Sequence, residues 1–118
     1  MTDGELQHGV GVLGVVRAHP GCEAALGAAL RALVEFARNE PETVLFALHA
    51  VRDRPGSYVL FERYRNEQAW LRHRRSSAME SFKDDMERLV AEREITVLVP
   101  DATFGLPDTG APSKGGVQ

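Results

Sequence analysis

The stretch from Tyr58 to His73, YVLFERYRNEQAWLRH, carries most of the side chains in this sequence that could do chemistry. It holds three aromatic rings with polar groups, on Tyr58, Tyr64 and Trp70, together with Glu62 and His73. If its first half is a strand, alternation places Glu62 on the same face as both tyrosines. A buried carboxylate needs a hydrogen-bond partner or a wet cavity, so Glu62 predicts a tyrosine hydroxyl, an arginine or a cavity beside it.

Other polar side chains are expected near this face. His49 lies on the neighbouring strand, and Trp70 and His73 are three residues apart on the following helix, hence adjacent on one surface. Together with Glu62 they could line a pocket between sheet and helices, with an apolar body and a few polar tips. Each of these residues taken alone could have a purely structural role, and Asn66 is placed to cap the helix. For the residues taken together, we predict that they line a pocket.

The elements that position these residues follow from periodicity and turn residues. Pro55-Gly56 suits the centre of a type II turn and makes the two strands around it an antiparallel hairpin. Ser77 and Glu80 form a capping-box pattern for a second helical piece. The predicted elements are a strand at 10–17, a helix at 21–39, strands at 43–51 and 57–64, helical pieces from Asn66 and Ser77, and a strand at 94–99.

The order β-α-β-β-α-β predicts an α+β ferredoxin-like sandwich, with one antiparallel sheet and helices on one face. The second strand, TVLFALHAV, is apolar on both faces except at His49. One helical layer covers only one face, so we expect the other face to pack on the same sheet of a second subunit, as a homodimer. Residues 1–100 are one predicted domain, and 101–118, rich in Gly and Pro, are a mobile tail or an arm on the partner.

Composition excludes several classes of partner. The chain has 118 residues and a net charge of -3, which gives no general attraction to nucleic acid or an anionic membrane. The longest apolar run near the N-terminus, VGVLGVV, is far shorter than the roughly 20 residues that span a bilayer. A single cysteine, Cys22, and an acidic N-terminal stretch favour a location in the cytoplasm.

Two possible cofactor signals are weak. Gly9 to Gly14 matches G-x-G-x-x-G, but the glycines lie inside a predicted strand instead of the turn after one, so strand packing is the better interpretation. The four histidines show no metal-binding spacing. We therefore expect neither a metal nor an organic cofactor.

The segment YVLFERYRNEQAWLRHRRSSAMESF, after a hairpin and before a final helix and strand, resembles the antibiotic biosynthesis monooxygenase family, over roughly residues 8–100. Members of that family are small ferredoxin-like homodimers whose sheets face each other in a dimeric α/β barrel. Their third strand often reads F-V-L-Y-E-R-W, followed by a helix that ends in histidine and then Pro-His-Phe. Glu62 and His73 match this pattern. Tyr64 replaces the usual tryptophan, and Ser77-Ala78-Met79 replaces Pro-His-Phe, so the second histidine is missing.

The resemblance implies a cofactor-free monooxygenase that oxidises a quinol, an anthrone or a related polyketide-type phenol with O2. By this analogy His73 accepts the substrate proton or hydrogen-bonds its oxygen, Trp70 supplies an indole N–H and a stacking face, and Tyr64 orients the ring. Further binding contacts are expected from four residues: Tyr58, Glu62, His49 and Asn66.

Two other functions remain open on the same fold. The missing second histidine favours a non-oxidative isomerase or cyclase, or a ligand-binding dimer without catalysis. Haem degradation occurs among relatives, but the tryptophan usual in those proteins is Tyr64 here, and no haem-binding histidine stands out.

Overall fold

The computed structural model describes residues 9–105. In chain order, the elements are β1 (Val10–Ala18), α1 (Glu23–Ala37), β2 (Thr43–Ala50), β3 (Ser57–Tyr64), α2 (Glu67–Arg74), α3 (Ser77–Leu89) and β4 (Val90–Leu98). The strands form one sheet in the order β2-β3-β1-β4, and every neighbouring pair is antiparallel. The predicted α+β ferredoxin-like arrangement is confirmed.

The connections follow the local sequence. The Ser57 amide donates to the Arg54 carbonyl at 3.1 Å across Pro55-Gly56, and Gly56 has φ +86°, as a type II turn requires. The Asn66 side chain caps α2 by accepting from the Ala69 amide at 2.9 Å. These features match the predictions.

Two predicted boundaries were wrong. The N-cap of α3 is Ser76, whose hydroxyl accepts from the Met79 amide, and Ser77 is already helical. The last strand begins at Val90, four residues before the predicted start at Glu94. The first half of β4 was not predicted because it contains charged residues. An edge strand tolerates them, and Glu92 is exposed and pairs with Arg17 at 2.8 Å.

The core lies between the sheet and the helices. Along β1, alternate residues face the helices and are buried, including Val12, Val16 and Ala18. Burial of this apolar surface stabilises the contact between helices and sheet. Val16 and Ala18 pack with one residue of β3 and with side chains from α1 and α3: Leu60, Leu26, Leu30, Leu33, Phe82 and Leu89. Val12 belongs to a second buried cluster with Val10, Tyr64 and Ala69.

The opposite face of the sheet is uncovered in the part of the chain that the structure describes. Val59 pairs with both Val15 and His49 across this face, and Val15 is 41% exposed. Near the end of β3 the Arg63 guanidinium donates to the Thr103 hydroxyl at 3.0 Å, so the chain beyond the last strand contacts the sheet. The predicted tail or arm comprises residues 101–118, and its part from residue 106 onward lies outside the described residues.

In the described range 9–105, no helix is both long and apolar enough to cross a membrane.

Candidate functional site

A cavity of about 930 Å³ lies between the helix-facing side of the sheet and helices α2 and α3. Its wall is mostly apolar, as in small-molecule sites, and carries a few polar side chains. Two of these, Glu62 from β3 and His73 from α2, come from the stretch that the sequence singled out. The main apolar lining residues are Val12, Val16, Leu60, Met79, Phe82 and Met86.

His73 is held in a fixed orientation. Its side chain lies on the buried side of α2, four residues after Ala69, and only 2% of the residue is exposed. The imidazole ring contacts three aromatic rings, with centroids 5.3 Å from Phe46, 5.3 Å from Tyr64 and 6.5 Å from Phe36. The packing leaves the ring little freedom to rotate.

Glu40 fixes the tautomer of this histidine. Its two carboxylate oxygens are each 3.0 Å from His73 Nδ1. An ionised carboxylate only accepts hydrogen bonds, so Nδ1 carries a proton. The Thr43 hydroxyl donates to Glu40 Oε1 at 2.9 Å and holds the carboxylate in place. Nε2 is then the nitrogen available to a ligand in the cavity.

Sequence reasoning missed Glu40. It lies in the connection between α1 and β2, directly before Pro41, 33 residues away from His73. Local sequence gives only one signal, an acidic residue at the predicted end of a helix. Its contact with His73 depends on how α2 packs against the start of β2 and the residues before it.

Glu62 forms the second polar feature of the wall. The Tyr64 hydroxyl donates to Glu62 Oε1 at 2.5 Å, and Tyr64 is 0% exposed. Burial raises the pKa of Glu62 above the usual range of a carboxyl group; the Tyr64 hydrogen bond and the charge of His73 oppose this shift, and the charge of Glu40 adds to it. Burial and the Glu62 charge raise the pKa of Tyr64 far above its ordinary value, so the phenol stays neutral.

Trp70 lines the cavity with His73 and packs against the buried cluster of Val10, Val12, Tyr64 and Ala69. The Arg74 guanidinium lies over its ring, 5.1 Å from the centroid, in a cation–π contact. The indole therefore has one face occupied by the protein. Its predicted role as a stacking residue stays a prediction.

The other predicted site residues do not line the cavity. Tyr64 lies behind Glu62, and Asn66 is used as the cap of α2. Tyr58 lies under α1: its hydroxyl is 3.5 Å from the Glu23 carbonyl, and a Cβ at Gly27 would approach that hydroxyl to 2.5 Å. His49 points to the opposite face, because it pairs with Val59 and not with a helix-facing residue.

The open side of the cavity was also not predicted. Ile95 and Val97 of β4 line it and are 53% and 51% exposed. Charged side chains of both signs surround this opening: Arg74, Lys83, Asp84, Glu87 and Arg93. The edge strand thus provides an apolar entrance with a charged rim.

Within residues 9–105, no three histidine, cysteine, aspartate or glutamate side chains are grouped so that they could hold a metal ion.

Comparison with known proteins identifies the protein family of this chain. The model of the antibiotic biosynthesis monooxygenase family matches residues 9–85. The chain belongs to this family.

Solved structures agree with this assignment. The protein Rv0793 from Mycobacterium tuberculosis is 30% identical, with a TM-score of 0.77 over 82% of this chain and 99% of that one. PA3566 from Pseudomonas aeruginosa is 27% identical, with a TM-score of 0.76 over 82% and 98%. A Nitrosomonas europaea protein, proposed to be an antibiotic biosynthesis monooxygenase, shares the fold at 20% identity, with a TM-score of 0.73 over 79% and 90%. None of the curated proteins compared with the sequence matches it.

Proposed function

We propose that this protein is a cofactor-independent monooxygenase that oxidises an aromatic small molecule, a quinol, an anthrone or a polyketide-type phenol, with O2. The observation that carries the proposal is the largely apolar cavity with His73 on its wall, tied through Nδ1 to Glu40. Membership of the family supports the reaction class. The Nitrosomonas europaea relative was proposed to have the same type of activity.

The chemistry can be followed with an anthrone. His73 takes a proton through Nε2 from the acidic CH2 carbon, and the substrate becomes an electron-rich anion that O2 can oxidise. The carbon loses two hydrogens and gains one oxygen atom as a carbonyl, and the second oxygen atom leaves as water. The products are an anthraquinone and water, so O2 accounts for all the electrons removed.

The residues around His73 have distinct tasks in this proposal. Glu40 stabilises the imidazolium that forms when His73 accepts the proton, as a carboxylate does beside a catalytic histidine. Trp70, which lines the cavity, offers its indole for stacking on the substrate. The apolar wall excludes water, which strengthens these electrostatic interactions.

We also propose a homodimer in which the uncovered sheet faces pack together. The exposed Val15 and the pairing of Val59 with His49 on that face support this arrangement, since a half-apolar sheet face is costly to leave in water. His49 would then lie between subunits and away from the substrate. Light scattering of the purified protein should give twice the mass of the chain.

Isotope-labelled O2 tests the reaction. With anthrone as the probe, the purified protein should form anthraquinone with one labelled oxygen per molecule, and formation should stop without O2. Consumption of anthrone under nitrogen, or product that carries no label, would contradict the proposal.

A non-oxidative isomerase or cyclase is the second candidate. It is favoured by the presence of two acid–base groups, His73 and Glu62, on one cavity wall, since such a pair can move protons without O2. Anaerobic exchange of the acidic CH2 hydrogens of anthrone for deuterium, without oxygen uptake in air, would select this alternative.

A further inference from the structure

We propose that Glu62 is a second catalytic residue of this site. In its neutral form, its carboxyl group donates a hydrogen bond to the substrate oxygen that becomes negative when His73 removes a proton, and Tyr64 positions it. This inference rests on the proposed function and narrows the substrate class. The substrate must carry a carbonyl or phenol oxygen conjugated with the acidic C–H or O–H group.

The geometry assigns each carboxyl oxygen of Glu62 a different hydrogen-bonding role. Tyr64 is fully buried, and its hydroxyl lies 2.5 Å from Glu62 Oε1. A buried hydroxyl satisfies its hydrogen by donating it, so Oε1 is the acceptor. In a neutral carboxyl group the proton then sits on Oε2, and Glu62 lines the cavity. Oε2 is the atom that can donate to a ligand.

The charges at the site favour the neutral form during reaction. Proton transfer to His73 creates an imidazolium next to the Glu40 carboxylate, and these two charges balance. An ionised Glu62 would add a negative charge beside the new substrate anion and repel it. A neutral Glu62 stabilises that anion with a hydrogen bond, as a buried protonated carboxyl can in an oxyanion site. Burial in the largely apolar wall raises the pKa of Glu62 and so favours this form.

Besides burial, which is the largest cause, three groups shift the pKa of Glu62: Tyr64 on the same strand, His73 on α2 and Glu40 before β2. The register places uncharged Val12 and Phe46 beside Glu62 on β1 and β2. The charged side chains contributed by α2, α3 and β4 to the same cavity are exposed at its rim, where solvent screens them. They are Arg74, Lys83, Asp84, Glu87 and Arg93.

Binding of a hydroxyanthraquinone, which is not oxidised further, tests the role of Glu62 without turnover. Below the raised pKa of Glu62, Glu62→Gln should bind it within about threefold of the wild type, because an amide also donates a hydrogen bond. Glu62→Ala should bind roughly tenfold more weakly. As pH rises through the raised pKa of Glu62, the wild type should lose affinity relative to Glu62→Gln. Glu80→Gln, on the exposed side of α3, is the matched control.

Two results would overturn the inference: equally weak binding by Glu62→Gln and Glu62→Ala, or a constant affinity ratio of wild type to Glu62→Gln across pH.

Carbon NMR of wild-type protein labelled at glutamate carboxyls covers the case in which Glu62→Ala does not fold. The resonance missing from Glu62→Gln should titrate above the ordinary range of a glutamate carboxyl, and titration within that range would refute the inference. Binding of the hydroxyanthraquinone without oxygen uptake in the presence of anthrone would contradict the proposed function and leave the role of Glu62 in binding intact.

Discussion

Replacing Glu40 by glutamine probes the arrangement that orients His73. The carboxylate accepts from the Thr43 hydroxyl at 2.9 Å and faces His73 Nδ1 at 3.0 Å. A glutamine oxygen at the Oε1 position can still accept both bonds, while the amide nitrogen replaces the Oε2 acceptor, so the charge and one acceptor are lost. Changing a charge-assisted hydrogen bond to a neutral one costs about 1–2 kcal/mol. Because the imidazolium forms during reaction, kcat should fall roughly five- to thirtyfold.

The assay measures oxygen consumption with anthrone over a range of concentrations. KM should change little, because Glu40 lies behind His73 and does not line the cavity. Glu42→Gln is the matched control: Glu42 is two residues away and pairs with Arg72 at the surface, so its kcat should stay within about twofold. Nitrogen NMR of His73 should show a proton on Nδ1 in the wild type. An unchanged kcat in Glu40→Gln, or a proton on Nε2 alone, would refute the positioning role.

Three further predictions concern stability and assembly. Folding raises the pKa of Glu62, so its contribution to stability is present below the ordinary carboxyl pKa and is lost as the pH rises through the pKa of the folded protein. The denaturant midpoint of the wild type should fall over this pH range, and that of Glu62→Gln should not show this fall. Gly56→Ala should lower the free energy of unfolding by about 1–3 kcal/mol, because φ is +86° and a Cβ would lie 2.6 Å from Glu23 Cγ. Gly21→Ala, with φ +89° and no atom within 4 Å, should cost less, and an equal loss would disprove the clash. Val15→Asp should give a monomer in light scattering, and a dimer would place the interface elsewhere.

The fold was predictable because its signals are local. Helical periodicity, the Pro55-Gly56 turn and the Asn66 cap each act within a few residues, and together they specify the order of elements. The alternation that places Glu62 on the helix-facing side of β3 is equally local. These signals located Glu62, Trp70 and His73 on the correct elements before any tertiary contact was known.

The rest of the site depends on packing across the fold. The second strand is apolar on both faces, so its sequence does not show which face His49 takes, and only its pairing with Val59 decides this. Tyr58 and Tyr64 share a face with Glu62, yet α1 covers the first and the second is enclosed behind Glu62. The contact of Glu40 with His73 joins two distant segments and has no periodic signature.

Oxygen consumption by wild type and His73→Ala with anthrone tests the central claim most directly. The wild type should accelerate uptake well above the rate in protein-free solution, with one O2 consumed per anthrone. His73→Ala should fall to that background while Glu80→Gln keeps the wild-type rate. Equal rates for wild type and His73→Ala, in folded protein, would contradict the assignment of the cavity as an oxidising site.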